Sequence, residues 1–405
     1  MTKADKEGQR KTPILRFKGF TDDWEQRKLG EIGKIRSCKR IYRNQTSSKG
    51  EIPFYKIGTF GKEADSFISR KLYEEYKERF SFPQVGDILI SASGTLGRTV
   101  VYNGENAYFQ DSNIVWIDND NHLALNKYLE IYYQRIHWKA SEGSTIKRLY
   151  NSDIEGTIIS IPKRDEQAKL SKCLKLLNKV ITLYDRKLKL LSQIKKYFLD
   201  NLFAKKEYPN LRFKGFTDAW EQRKLSSILI ERKDLSTESK QFPLSSFIQE
   251  KGVVPKSQRY DRSFLVKDSS KKYKVTKFGD FIYSSNNLDT GSIGLNSYGN
   301  AVISPVYSVF SSKNSNILET NFVNLLFQQN FYKNKMLRFR QGVMYGQLKI
   351  KEDDFLKVKV NVPSQIEIKN IINLFSKIES YATLLENKKK QLVQIKNTLL
   401  NTMFI

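Results

Sequence analysis

The side chains that could do chemistry in this chain are mostly cationic, and many of them stand close to aromatic residues. Lysine and arginine contact phosphate groups, and Ser, Asn and Gln side chains between them can hydrogen-bond to base edges. The basic clusters are Arg36, Lys39, Arg40 and Arg43 in the first half, and Lys256, Arg259, Arg262, Lys271, Lys272, Lys333, Lys335, Arg338 and Arg340 in the second. A single cation is more often a solvated surface charge, but the clusters favour binding to a polyanion.

The sequence lacks the motifs of the common catalytic and metal sites. It has no GxxxxGK[ST] loop, no HExxH, no [DN]PP[FY] string and no CxxC spacing, and its two histidines and two cysteines are scattered. The nearest approach to a nuclease D/E-x-K string is Glu367-Ile368-Lys369, which has no placed second carboxylate. We therefore expect a recognition protein without catalytic residues, metal site or disulfide framework.

The composition indicates a folded protein with a strong positive charge. The chain has 405 residues, of which 39% are hydrophobic, and its 70 Lys and Arg against 43 Asp and Glu give a net charge of +27. Such a charge suggests a polyanionic partner, with nucleic acid first and an acidic membrane surface second. The polar N-terminus and the absence of a long apolar run predict a cytoplasmic protein.

A string that occurs twice divides the chain into two halves. LRFKGFTDDWEQRKL (15–29) returns as LRFKGFTDAWEQRKL (211–225), and Asp23 against Ala219 is the one difference. An internal repeat at nearly half the chain length indicates a duplicated molecule. Paired glycines also recur, at Gly94 and Gly97 in the first half and at Gly291 and Gly294 in the second. The remaining sequence differs, as expected if the halves bind different targets.

Two stretches with a seven-residue apolar repeat predict the longest helices. The repeat falls at Leu170, Leu177, Tyr184, Leu191 and Phe198, and again at Ile371, Ile378, Leu385, Leu392 and Leu399. Such rows are typical of a coiled-coil seam. We expect helices at about 165–204 and 366–404, each introduced by a Pro-x-x-x-Glu string. A helix of about 60 Å needs a packing partner of similar length, and each of the two helices can be that partner for the other.

The remainder of each half has short strand-like runs and a few helical ones, which predict a globular α+β domain. The predicted fold is therefore α+β, with an internal pseudo-twofold repeat of one domain followed by one long helix. The predicted segments are a disordered arm at 1–12, domains at 13–163 and 207–364, and helices at 164–206 and 365–405.

This organisation resembles the specificity subunit of type I restriction-modification systems. The strings that carry the resemblance are the two RFKGFTDxWEQRKL copies, GDILISASGTLGR (86–98), GSTIKRLYNSDI (143–154) and the paired long helices. The likeness covers the chain from Pro13 to Phe404. It implies two target-recognition domains that alternate with two long antiparallel coiled-coil helices.

The resemblance also implies a function and partners. Each globular domain would read one half of a bipartite double-stranded DNA target, while the helices would fix the spacer and dock two methylation subunits. Motor-nuclease restriction subunits would complete a bacterial, nucleoid-associated complex that methylates adenine at N6 and cleaves DNA with ATP. No cofactor is expected in this chain, because S-adenosylmethionine, ATP and Mg would bind the partner subunits.

By position in the family's strings, several residues are implied to face DNA. In the first domain they are Ser91, Ser93, Thr95, Arg98, Ser144, Thr145, Lys147 and Arg148. The second domain departs from the family pattern, since SSNNLDTGSIG (284–294) and GVMYGQLKIKED (342–353) replace those strings. Its contacts are expected near Asn286, Asn287, Ser292, Tyr345 and Lys349.

Three other functions are compatible with the residues alone. A coiled-coil scaffold with basic, protein-binding heads would show no more DNA affinity than any protein of this charge. A stand-alone nuclease or methyltransferase with degenerate motifs would act without partners, and the missing motifs argue against it. An RNA-binding role is the third alternative.

Overall fold

A computed structural model describes residues 11–138, 148–248, 252–255, 271–284, 293–342 and 348–405. The chain forms two compact units. The first contains Met1–Asp185 together with Asn387–Ile405, and the second contains Arg186–Glu386. The predicted segments follow the order of the chain, whereas each unit combines one globular domain with a part of both long helices.

The globular part of the first unit consists of short strands and short helices. Its strands are β1 Glu25–Lys28, β2 Gly33–Ser37, β3 Ile52–Tyr55, β4 Phe67–Ile68, β5 Ile88–Ser91, β6 Thr99–Val101, β7 Tyr108–Phe109, β8 Ile114–Asn119 and β9 Ile158–Ile161. Its helices are α1 Leu29–Ile32, α2 Arg70–Arg79, α3 Asn126–Tyr132 and α4 Asn151–Glu155, with a 3₁₀ turn at Arg43–Gln45.

The centre of the first unit is an antiparallel sheet in the order β2-β8-β5-β6. Successive side chains of a strand point to opposite faces of the sheet, and at β5 both faces of the sheet are covered by apolar cores. Ile88 and Ile90 lie in one apolar core, and Leu89 lies in another. A second sheet, β4-β3-β7, contains the parallel pair β3–β7, and β1 pairs with β9.

The second unit has a larger globular part. Its strands are β10 Glu221–Lys224, β11 Leu229–Glu231, β12 Leu235–Ser236, β13 Ser245–Ile248, β14 Gly252–Pro255, β15 Tyr273–Thr276, β16 Phe281–Ser284, β17 Ile293–Leu295, β18 Ala301–Ile303, β19 Tyr307–Ser312, β20 Gln341–Gly342, β21 Leu348–Lys349 and β22 Lys359–Val362. The helices between them are α6 Ile317–Phe327, α7 Asn330–Leu337 and α8 Glu352–Leu356, with a 3₁₀ turn at Leu225–Ser227.

The second unit repeats the framework of the first. Its central sheet runs β11-β19-β16-β17, and β10 pairs with β22 as β1 pairs with β9. The side chains of β16 again alternate between two cores, with Phe281 and Tyr283 in one and Ile282 in the other. The additional pairings are the sheet β12-β15-β18 and the pairs β13–β14 and β20–β21. The predicted duplication of an α+β framework is confirmed.

The two long helices are α5 Arg164–Asn201 and α9 Gln365–Thr402. They end two or three residues earlier than predicted, because the chain after each helix enters a core. Leu202 and Phe203 are buried in the second unit, and Met403 and Phe404 are buried in the first.

The repeated string joins each globular part to the end of a helix. The backbone N–H of Leu15 donates to the carbonyl of Thr402 over 2.8 Å, and that of Leu211 donates to Asn201 over 2.9 Å. The string then continues through its buried tryptophan into β1 or β10. Its identity in both halves therefore reflects the same structural role at two helix ends.

Candidate nucleic-acid interface

The loop between β5 and β6 is held together from within. Gly94 and Gly97 have φ values of +66° and +72°, a region that glycine enters without strain. The buried hydroxyl of Ser91 donates to the carbonyl of Thr95 and accepts the N–H of Arg98 at 2.9 Å. The prediction that Ser91 faces DNA is therefore wrong, because its side chain is buried and shapes the loop instead.

Three other predicted side chains of this loop reach its surface. Thr95 is exposed, and Ser93 and Arg98 are half-buried. Arg98 donates from Nη2 to the carbonyl of Gly61 over 3.2 Å, and the Ser93 hydroxyl donates to Oδ1 of Asn113 over 2.9 Å. These bonds fix the direction of the side chains before any ligand binds, which reduces the entropy lost on binding.

The second predicted string of the first domain meets the same loop. Arg148 forms a backbone bridge with Ser93, and its Nη2 donates to the carbonyl of Ser112 over 2.8 Å. The structure therefore brings Arg148 together with the β5–β6 loop. The other predicted residues of this string, Ser144, Thr145 and Lys147, lie outside the described residues.

Trp138 packs against this loop and was not singled out from the sequence. A Cβ atom added to Gly97 would lie 1.9 Å from Cδ1 of Trp138, so the indole fills the space that the glycine leaves open. Trp138 also contacts Tyr133 edge to face, with ring centroids 5.9 Å apart. No local pattern marks Trp138, because its contact is with a residue about 40 positions earlier in the chain.

The basic cluster of the first domain begins with Arg36 in β2, and its side chains are exposed throughout. Arg36 forms an ion pair with Asp118, with Nε 3.3 Å from Oδ2. The ammonium of Lys39 lies 5.0 Å from the centroid of the Phe80 ring, and the guanidinium of Arg40 lies 5.8 Å from that of Tyr42. Arg43 begins the 3₁₀ turn that follows. The cluster is therefore accessible to a polyanion.

The corresponding loop of the second unit lies between β16 and β17. Ser284 ends β16 as Ser91 ends β5, and both are buried. Most of the predicted DNA-facing residues here lie outside the described residues, namely Lys256, Arg259, Arg262, Asn286, Asn287, Ser292 and Tyr345. Lys349 lies in β21, where its backbone pairs with Gln341.

A half-buried arginine paired with a buried glutamate anchors each copy of the repeated string to the start of a long helix. In the first unit Arg16 donates from Nε and Nη2 to the carboxylate of Glu166, over 2.7 and 2.8 Å. In the second, Arg212 donates to Glu367 over 2.9 and 2.8 Å. The hydrogen bond to the carboxylate raises the pKa of each arginine. The sequence showed both strings without showing that they pair.

The glutamate of the Glu367-Ile368-Lys369 string, the nearest approach to a nuclease motif, belongs to the second of these pairs. The Glu367 carboxylate is 1% exposed and both of its oxygens accept from Arg212. Among the described residues no group of three His, Cys, Asp or Glu side chains could hold a metal ion. Cys38 and Cys173 are free thiols, and burial raises the pKa of Cys38 to about 12.

The predicted apolar rows of the helices form a seam inside each unit. Leu170 and Leu177 of α5 belong to the same apolar cluster as Leu399 and Leu400 of α9 in the first unit. In the second unit Phe198 of α5 shares a cluster with Ile371 and Phe375 of α9. The start of one helix thus packs with the end of the other, which is an antiparallel arrangement.

The middle of the seam is also shielded from solvent. Tyr184, Leu191 and Leu392 are half-buried, and Ile378 and Leu385 are buried. Ion pairs cross the seam in both units, at Asp185–Lys389 over 2.5 Å and at Lys195–Glu379 over 3.0 Å. All ten residues predicted for the helix rows therefore occupy positions expected of a seam.

Residues 21–193 match the family model described as the type I restriction modification DNA specificity domain. A putative type I restriction enzyme specificity subunit from Haemophilus influenzae is 60% identical over 142 residues, which is 35% of this chain and 37% of that protein. The segment 21–193, which is less than half of the chain, is thus similar to the DNA specificity domain of type I restriction-modification systems. The alignment thus spans little more than a third of the length of this curated relative.

Solved structures show that the fold of a specificity subunit extends over the whole chain. The S subunit from M. genitalium superposes with a TM-score of 0.59 at 12% identity, covering 97% of this chain and 99% of that one. A chain from a structural study of complex assembly and conformational transition of the type I R-M system gives 0.51 at 13% identity, with the same coverage. At these identities the likeness concerns the fold alone.

The family model matches one continuous segment that is less than half of the chain, whereas the first compact unit combines two separate segments. The model ends at residue 193, inside α5. The first unit instead passes from residue 185 to residue 387. Within the described ranges, no helix is long and apolar enough to cross a membrane.

Proposed function

We propose that this chain is the DNA sequence-specificity subunit of a type I restriction-modification complex, in which each globular part reads one half of a bipartite double-stranded target. The observation that carries the proposal is that both units repeat one framework around different loops. In the first unit Thr95, Arg98 and Arg148 meet at the end of the central sheet. Arginine and hydroxyl side chains in such a position suit base-edge and phosphate contacts.

The positive charge supports the same proposal. Arginine and lysine that contact phosphate release counterions from DNA, so the affinity of such an interface falls with salt. Here the net charge is +27, and the cluster Arg36, Lys39, Arg40 and Arg43 is exposed in the first unit. Phosphate contacts position a protein on DNA, whereas the loop residues would choose the sequence.

The outer surfaces of the long helices support docking of partner subunits. Apart from Ile366 in the first turn of α9, the exposed, large apolar residues on α5 and α9 of each unit form what we call its docking face. The first unit's docking face consists of Leu176, Leu183 and Ile395, and the second unit's consists of Leu190, Ile194, Tyr197, Tyr381 and Leu384. Exposed apolar patches of this kind mark protein–protein contacts.

The docking faces are related by the internal repeat, which suits two copies of one partner. Leu183 corresponds to Leu384, and Ile194 corresponds to Ile395, at the same spacing in the sequence as the shared Gln-Ile-Lys strings. We therefore propose that each unit docks one methylation subunit, and that motor-nuclease subunits join this complex on bacterial DNA. S-adenosylmethionine, ATP and Mg would be bound by those partners, and this chain would perform no reaction.

The test is a map of methylated adenines in a bacterial host that carries the methylation subunit encoded with this chain. Replacement of residues 32–161 by the segment of another family member should change one half of the methylated sequence and leave the other half intact. The double variant Thr95→Ala, Arg98→Ala should weaken the first half-site. A matched control is Arg79→Ala, which removes an exposed arginine on α2 that is paired with Glu75.

The alternatives predict different results. A scaffold would leave the methylation pattern unchanged when the segment is exchanged. A stand-alone enzyme would methylate or cut DNA when purified without partners. A pattern in which both half-sites change together would contradict the assignment of one half-site to each unit.

A further inference from the structure

The two docking faces differ in apolar content. The second unit's docking face has five exposed large apolar residues, two of which are tyrosines, whereas the first unit's has three and no aromatic residue. Aromatic residues are enriched among those that dominate binding energy at interfaces. The repeat therefore conserved the framework of the faces and not their composition.

Heptad positions show that each docking face is continuous. When the seam rows Leu191/Phe198 and Ile378/Leu385 are taken as position d, Leu190, Tyr197 and Leu384 fall at position c, and Ile194 and Tyr381 fall at position g. Positions c and g adjoin on the outside of a helix pair, next to the seam. In the first unit Leu176 and Leu183 occupy position c, and Ile395 occupies position g. The two docking faces therefore use the same heptad positions and differ in the residue types at those positions.

The residues that interrupt the first unit's docking face are polar. In α9 the c positions after Leu384 are Gln391 and Thr398, and the g position before Ile395 is Lys388. In the second unit the equivalents of Gln391 and Thr398 are Leu190 and Tyr197, which are each 56% exposed. Two apolar residues of the second unit's docking face are thus replaced by polar residues in the first. In the opposite direction, Leu176 of the first corresponds to Lys377 in the second, while Tyr381 of the second corresponds to the half-buried Val180 in the first.

The charged surroundings of the faces are similar. The charged residues at positions c and f are Asp165, Lys169, Lys172 and Lys179 in the first unit, and Arg186, Asp200 and Lys377 in the second, so both sets are net positive. Both faces therefore fit a partner helix with an apolar row and flanking acidic residues, as complementary charges steer association. Because the flanking charge has the same sign at both docking faces, a difference in affinity between the faces must come from their apolar residues.

We propose that the two docking faces bind the same partner with unequal affinity, and that the second unit's docking face takes the first methylation subunit. This inference rests on the proposed function. Burial of two additional large side chains should make that face at least about tenfold tighter, since each such side chain contributes favourably on burial and tenfold corresponds to about 1.4 kcal/mol. Assembly would then pass through a complex with one methylation subunit.

The experiment is a titration of the full chain with the methylation subunit encoded alongside it, followed by native mass spectrometry and calorimetry. Two matched double variants change the same heptad row of the same helix. Leu190→Lys, Tyr197→Lys alters the second unit's docking face, and Leu176→Lys, Leu183→Lys alters the first unit's. All four side chains are at least 45% exposed, so the substitutions leave the cores intact.

The expected result is two-step binding by the unaltered chain. Leu190→Lys, Tyr197→Lys should remove the tighter step, while Leu176→Lys, Leu183→Lys should leave a stable complex with one methylation subunit. Equal effects of the two variants, or loss of the tighter step in Leu176→Lys, Leu183→Lys, would overturn the inequality and leave the proposed function standing. An unaltered, folded chain that binds no methylation subunit would instead overturn the docking part of the proposed function.

Discussion

The indole Nε1 of Trp24 donates a hydrogen bond to the carboxylate of Glu166 over 3.2 Å, and this bond has no counterpart in the second unit. Trp220 occupies the repeated position there, but its buried Nε1 has no hydrogen-bond partner among the residues that the structure describes. The ring contacts are similar, since Trp24 packs edge to face on Phe404 at 6.2 Å and Trp220 on Phe203 at 6.5 Å. The duplicated tryptophans therefore differ chiefly in one polar contact.

This difference predicts unequal costs for the same substitution. Trp24→Phe should destabilise the first unit by about 1.5–3 kcal/mol more than Trp220→Phe destabilises the second, because a hydrogen bond to a charged group is lost only in the first. Hydrogen exchange of β1 and β10, measured on each variant, gives the two costs separately. Equal losses of protection from exchange in the two variants would show that the Trp24–Glu166 hydrogen bond does not stabilise the first unit.

The residue next to the C-terminus should control the stability of the N-terminal domain. Phe404 stacks on Tyr128 at 5.7 Å and contacts Tyr132 at 6.0 Å. Phe404→Ala should cost the first unit about 3–5 kcal/mol, as expected for a buried phenylalanine. Faster hydrogen exchange in α3 and β1, with no change in α6, would be the result. The matched variant Phe203→Ala should speed hydrogen exchange in α6 and leave α3 and β1 unchanged. Faster hydrogen exchange of α6 in Phe404→Ala would contradict the prediction.

Two glycines of one loop should respond differently to alanine. Gly94→Ala strains a left-handed residue, at about 1–3 kcal/mol, but its Cβ would meet only Ile57 at 3.4 Å. Gly97→Ala adds a clash with Trp138 at 1.9 Å, so the indole or the loop must move. We expect Gly97→Ala to lose more affinity for the first half-site than Gly94→Ala. Trp138→Ala in the Gly97→Ala background should restore part of the lost affinity. If it restores none, the clash with Trp138 is not the cause of the loss.

Lengthening both helices should lengthen the DNA spacer. Because α5 and α9 pair antiparallel in each unit, a seven-residue insertion must be made in both, between Asp185 and Arg186 and between Glu386 and Asn387. One heptad adds about 10 Å of helix, which corresponds to about three base pairs at about 3.4 Å each. Mapping of methylated adenines should show the longer spacer and unchanged half-sites. An active complex with the original spacer would show that the helices do not set it.

The control for this insertion is the same heptad placed in α5 alone. The seam of α9 would then lack a matching length of partner, and apolar residues of the inserted heptad would stay exposed. We expect little assembled complex from this variant. Normal methylation by it would show that the seam does not require matched helices.

Several features could be predicted because they depend on local periodicity. The seven-residue rows predicted α5 and α9 to within about three residues at either end. Side-chain burial was harder to predict. By its position in a family string Ser91 was implied to face DNA, yet it is 1% exposed, because the loop after β5 folds back over its hydroxyl.

By itself, the sequence determined that the molecule is duplicated, that each half holds an α+β framework and a long helix, and which loops differ. These properties follow from identity between two strings and from apolar spacing, which are readable along the chain. Only the tertiary structure decided that the end of α9 completes the first unit, and that Arg16 and Glu166 meet 150 residues apart. Such contacts depend on which buried charge finds which partner in three dimensions, and no local pattern records that choice.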